Sequence, residues 1–129
     1  MLGRLTLADL SILGAVIAYM LPIAVAKYGA LKAFDNAKPR DPEFFKDPFR
    51  ARALGAHLNG LEGFAFFAAA VIIAQMRGAS QPLVDGLAFA YLGLRLAYVA
   101  LYLAGQSSLR SLTWALALAV NIAILLSAA

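Results

Sequence analysis

The sequence predicts an all-α integral membrane protein, a bundle of four transmembrane helices. Three observations predict it: 63% of the 129 residues are hydrophobic, only 14% are charged, and the apolar residues gather into four long runs. A hydrocarbon core of roughly 30 Å requires about 20 apolar residues in a helix, and each run meets that length. The mean hydropathy of +0.78 is too high for a soluble domain of this size. The runs are far longer than strands and lack the alternation of a membrane β-barrel. The chain therefore reads as a single membrane domain, residues 1–129, with helices at about 5–26, 51–76, 82–104 and 109–128 and a polar loop at about 27–50.

The first run follows Arg4, and Ala24-Val25-Ala26 resembles a signal-peptide cleavage site, but the run is longer than a usual signal core and reads as a retained helix. The loop contains Lys38-Pro-Arg-Asp-Pro42 and Asp47-Pro48, which break regular structure twice and suggest a partly mobile connector. Pro48 suits the first turn of the second helix. On the fourth helix Ala115, Ala119, Ala123 and Ser127 recur every four residues, a spacing that lets helices approach closely. Trp114 suits an interfacial anchor, and Asn121 is a polar residue deep in the same run.

Charge placement sets the orientation. From Lys27 to Arg52 there are seven basic residues against four acidic ones, a net +3, within a chain whose formal charge is +4. The excess of Lys and Arg near helix ends places this loop in the cytoplasm and both termini on the opposite side. Topology thus accounts for the basic residues without a nucleic-acid partner. There is no cysteine and a single histidine, which excludes disulfides, protein thiolate chemistry and a zinc site; no metal is expected.

Polar residues carried into apolar helices are costly and mark either an interior site or a structural pair. At 100° per residue Arg52, Gly55, Asn59, Glu62 and Phe66 share one face of the second helix, and Tyr91, Arg95, Tyr98 and Tyr102 share one face of the third. Glu62 and Arg95 each lie roughly 15 Å from the loop-side boundary at 1.5 Å rise per residue. Equal depth on adjacent antiparallel helices predicts a buried Glu62–Arg95 ion pair, which either fixes helix register or serves a ligand directly. His57 points off this face and reads as a packing residue.

These residues resemble the MAPEG superfamily, membrane-associated proteins in eicosanoid and glutathione metabolism. The resemblance rests on Arg52-x4-His57-x-Asn59-x2-Glu62 followed by Phe64, on Arg95-x2-Tyr98-x3-Tyr102, and on Leu109-Arg110-Ser111 opening the last helix; Lys32-Ala-Phe34-x-Asn36 is a weaker match. It implies a homotrimer in the bilayer, a small bacterial-type member of the inner membrane, with glutathione as co-substrate between subunits near the cytoplasmic side. Carried over by position, Arg52, Asn59, Glu62, Arg95, Tyr98 and Tyr102 would bind glutathione. Arg110 would stabilise its thiolate, with Ser111 as a nearby hydroxyl. The chain departs from the family pattern at Gly55 and Leu58, where the best-studied glutathione-binding members carry arginines, in a loop before Arg110 that is one residue shorter, and at Trp114, the aromatic ring that follows the arginine.

Two functional classes follow. One is a glutathione-dependent transferase or peroxidase acting by thiolate attack on an apolar electrophile that arrives from the bilayer. The other is a non-catalytic scaffold, lipid binder or accessory subunit of a larger membrane complex that keeps only the register-setting polar residues.

Overall fold

A computed structural model describes residues 3–129. Four helices account for most of it: α1 (Leu7–Tyr28), α2 (Pro48–Met76), α3 (Gln81–Leu103) and α4 (Ser107–Leu126), all long and apolar enough to cross a membrane. The chain runs up and down, so the 29–47 loop and the α3–α4 turn share one end. The α2–α3 turn and both ends of the chain share the other. Helices α2 and α3 form the centre, α1 packs against both on one side and α4 against both on the other, and among the described residues α1 and α4 do not touch.

Lipid gives helices no hydrophobic reason to associate, so packing here depends on close approach of small residues. On α1 the buried positions are Ala8, Ser11, Ala15, Ala18, Pro22, Ile23 and Ala26, a stripe that advances by three or four residues at nearly every step. It meets Ala53, Ala56, Gly60, Ala70 and Ala74 of α2, and the larger side chains Phe67, Val71, Val84 and Ile124 fill the interior toward α3 and α4. Gly60 is required at the α1–α2 crossing: a Cβ there would collide with the Cβ of Tyr19 and lie 3.2 Å from its Cα. Pro22 supplies no N–H to the carbonyl four residues back. One residue along, the Tyr19 carbonyl accepts a 2.7 Å hydrogen bond from His57 Nδ1. His57 is thereby a packing residue joining α2 to α1.

The end that carries the termini is pinned by hydrogen bonds. Thr6 and Asp9 form a capping box, with Asp9 N donating to Thr6 Oγ1 at 3.0 Å and Thr6 N donating to Asp9 Oδ2 at 2.8 Å. Asp85 of α3 accepts from the Ala8 N–H of α1 and from Gln81 Nε2, both at 2.8 Å. Gln75 Nε2 of α2 donates to Thr6 Oγ1 at 2.9 Å, so three helices share one cap. Two tight turns use glycine for a left-handed backbone: Gly78 at φ 78° after α2 and Gly105 at φ 75° after α3. In each, the residue after the glycine donates back across the helix end, Ala79 N to Ala74 O at 3.0 Å and Gln106 N to Leu101 O at 2.9 Å.

The 29–47 loop, read from its prolines as an ordered-to-mobile connector, carries a packed aromatic cluster that the prolines do not signal. Phe44 and Phe45, in a 3-10 turn at Phe44–Lys46, are buried with Ile23 and pack against Phe34 and Leu54. Phe34 and Phe44 meet edge to face at 5.4 Å, and the Arg50 guanidinium lies 4.5 Å from the Phe44 ring centroid. An aromatic knot outweighs the backbone breaks. Asp47 then caps α2, accepting from Arg50 N at 3.0 Å, with Pro48 as the first helical residue. The alanine spacing on α4 also serves differently from expectation: Ala115, Ala119 and Ala123 are exposed, and the face of α4 that packs carries Ala117, Asn121 and Ile124.

Gly60→Ala should lower stability by about 1–3 kcal/mol, because the added methyl overpacks the α1–α2 crossing. Gly86→Ala on α3, where a Cβ meets nothing within 4 Å, should be neutral or gain up to about 1 kcal/mol from helix propensity. Thermal unfolding of the two variants in one detergent separates these outcomes.

Candidate functional site

The polar faces of α2 and α3 do converge, and they divide into an inner cleft and an outer rim. The cleft, about 280 Å³, opens between α2, α3 and α4 and is bounded by Asn59, Glu62, Phe66, Arg95, Trp114 and Asn121. Tyr91 closes its floor, stacked on Phe67 with ring centroids 4.0 Å apart and planes at 15°. Gly63 admits the Tyr91 hydroxyl beside α2, since a Cβ there would stand 3.2 Å from it. Trp114, Ala117, Leu118 and Asn121 line the α4 side at spacings of three, four and seven residues.

Arg95 is 6% exposed, and its Nη2 donates to Asn59 Oδ1 at 3.0 Å. The predicted Glu62–Arg95 ion pair is not formed: the ion pairs among the described residues are Lys46–Glu43 and Arg50–Asp47. Glu62 borders the same cleft but is exposed at its edge. The partner of Arg95 on α2 is Asn59 and not Glu62. Asn59, one turn nearer the loop end, takes the guanidinium, while Glu62 stays exposed at the edge of the cleft.

Arg95 also lies flat against Tyr98, its Cζ 4.2 Å from the ring centroid. Tyr98 meets Tyr102 at 5.6 Å and 77°, and the Arg110 Cζ sits 4.3 Å over Tyr102. Two cations are thus joined through two phenol rings along one face of α3. At the rim Arg52 Nε donates to the Leu103 carbonyl at 3.1 Å, so Arg52 and Arg110 both rest on the last turns of α3. Ser111 is exposed beside Arg110 and is not brought to the cleft.

Gly55 has a geometric reason. A Cβ at this position would collide with the Tyr102 hydroxyl and lie 2.7 Å from Cζ of that ring. The ring occupies the space through which a longer residue would leave α2. Leu58 is 47% exposed and is not among the residues that line the cleft.

The sequence reading singled out Asn121 as a second polar candidate on α4 but did not join it to Trp114 in one face of the cleft. Trp114 reads as an interfacial anchor when taken alone, and Asn121 as an isolated polar residue. Their seven-residue spacing, with Leu118 between, is the signal that both belong to one inward face.

A double-mutant cycle between Asn59→Ala and Arg95→Met, read by thermal unfolding, should give a coupling of about 1.5–3 kcal/mol, as for a hydrogen bond to a charged group. The parallel cycle between Glu62→Gln and Arg95→Met should give a coupling near zero, and the reverse order would assign the guanidinium to Glu62.

Comparison with known proteins supports one assignment. No individual curated protein and no solved structure matches the chain, whereas the MAPEG family matches residues 7–129, essentially its whole length. The four membrane-spanning helices agree with that match, and the chain belongs to the MAPEG family, membrane proteins of glutathione and eicosanoid metabolism.

Proposed function

We propose that the chain is a glutathione-dependent transferase or peroxidase that works as a homotrimer, with Arg52, Asn59, Glu62, Arg95, Tyr98 and Tyr102 binding the tripeptide and Arg110 activating its thiol. The observation that carries this reading is the line from Arg95 through Tyr98 and Tyr102 to Arg110, two guanidiniums on one face with no carboxylate paired to either among the described residues. Glutathione carries two carboxylates and a thiol, and an uncompensated cationic face is the complement of such an anion.

The chemistry asked of Arg110 is modest. A guanidinium beside a thiol favours the charged form and lowers its pKa, and the thiolate is the nucleophile. Sulfur then donates its electron pair to an electrophilic carbon of an apolar substrate; the carbon–sulfur bond forms and the leaving group departs with the electrons of the bond that breaks. Arg110 lies in the first turn of α4 near the membrane surface, where a water-soluble tripeptide and a membrane-soluble electrophile can meet. Ser111, exposed beside it, would reach a ligand held against a neighbouring copy.

Glu62 supports the trimer. It lies on an exposed stripe of α2 with Leu58, Leu61, Ala65, Ala69 and Ile72. A carboxylate at that depth facing lipid is costly, so a second copy covering this stripe is the economical arrangement. The same reading puts the 29–47 loop and the rim in the cytoplasm of a bacterium, with the protein in the inner membrane. The second reading, a non-catalytic scaffold or lipid binder, is favoured by Gly55 and Leu58, which leave fewer cations for a tripeptide.

Calorimetry of the detergent-solubilised protein with glutathione should show saturable binding at millimolar concentration or below. Arg52→Ala should weaken it roughly tenfold, the loss of one charge-assisted contact. The thiolate absorbance of bound glutathione should vanish in Arg110→Ala. Absence of binding to the wild-type protein at millimolar glutathione would sink the enzyme reading and leave the scaffold. Native mass spectrometry should release three copies of the chain together, and a lone copy under the same conditions would remove the trimer.

A further inference from the structure

The cleft has a second polar end that the glutathione reading does not use. Asn121 is 3% exposed and borders the cleft, yet its carbonyl oxygen Oδ1 is buried without a hydrogen-bond partner. A side-chain carbonyl left unmet is expensive anywhere in a protein, and within a bilayer no bulk water is at hand to relieve it. The amide projects from the packed face of α4, among Phe66, Trp114 and Leu118. We propose that the inner end of the α2–α3–α4 cleft is a subsite for an apolar molecule bearing a hydroxyl group, and that the amide of Asn121 receives that hydroxyl.

The choice of ligand follows from the chemistry of the walls. Two aromatic rings and a leucine suit a hydrocarbon chain or ring, and the membrane-spanning setting delivers such molecules from lipid. A hydroxyl donates and accepts, so it pairs with the amide whichever way the oxygen and nitrogen are turned. A carboxylate only accepts; it would leave the carbonyl unmet and belongs instead at the Arg95 end. Asn121 stands eleven residues beyond Arg110 on α4, roughly 16 Å at helical rise. That distance makes it a specificity-determining residue that holds the far end of a substrate, not one that touches reacting atoms. The role in substrate choice rests on the transferase reading, whereas hydroxyl binding does not and is measured without glutathione.

Trp114 is the single tryptophan of the chain and borders the cleft, so its fluorescence reports occupancy. The probes are a bromoalkyl alcohol and its methyl ether of equal chain length, which share the quenching bromine and the apolar chain but differ in the donor. In the wild-type protein the alcohol should reach half-quenching at a concentration roughly five- to tenfold below the ether. Asn121→Leu should bring the two probes together by weakening the alcohol alone, and Asn121→Ala serves the same purpose should the larger side chain crowd the helix. Equal quenching by both probes in the wild-type protein, or an alcohol preference that survives both substitutions, overturns the proposal. Because glutathione is left out, failure here and failure of calorimetric glutathione binding are separate results.

Discussion

A guanidinium held in the middle of an apolar bundle is the constraint on which the rest of this structure turns. Burying a lone charge in a bilayer is costly, and the usual remedy is an opposite charge. Arg95 has a different remedy: one amide oxygen from Asn59 and the face of a phenol from Tyr98. Both partners are neutral, so the positive charge is solvated without being cancelled. That keeps α2 and α3 in register and leaves a cationic wall on the cleft between α2, α3 and α4.

The helices, their number and the family were legible in the sequence because they depend on composition over long windows and on motifs with fixed spacing. Asn59, Arg95, Tyr98 and Tyr102 could be grouped from two helix faces, whereas Arg110 was reached only through the family resemblance. The partner of Arg95 was not legible, since depth along an axis is set by rise per residue while the choice between Asn59 and Glu62 depends on a rotation that one turn of sequence cannot resolve. The aromatic packing of the loop was not legible for another reason: proline signals are local, whereas Phe34, Phe44 and Phe45 find one another only in three dimensions. Asp85, which joins α1 to α3, carries no sequence signal because its partner is a backbone N–H.

The two ends of the bundle are built unlike each other. At the terminal end Thr6, Gln75, Gln81 and Asp85 share a cap that ties three helices through side-chain hydrogen bonds. At the loop end the contacts from α4 and α2 to α3 are the Arg110 guanidinium over the Tyr102 ring and a hydrogen bond from Arg52 to the Leu103 carbonyl. A cation over a ring tolerates sliding that hydrogen bonds of fixed length do not. A ligand entering between α2, α3 and α4 would therefore part the helices at the rim while the opposite end holds.

The fit of Gly55 against Tyr102 constrains how the charge of the rim can be altered by mutation. Any side chain at position 55 must turn the Tyr102 ring aside, and the Arg110 guanidinium lies on that ring. A substitution at position 55 therefore reaches the α4 cation through the ring, whereas Arg52, three residues earlier on α2, coexists with it. Charge added to α2 at this position is thus coupled to the placement of Arg110 on α4, with the end of the Tyr102 side chain as the part that has to give.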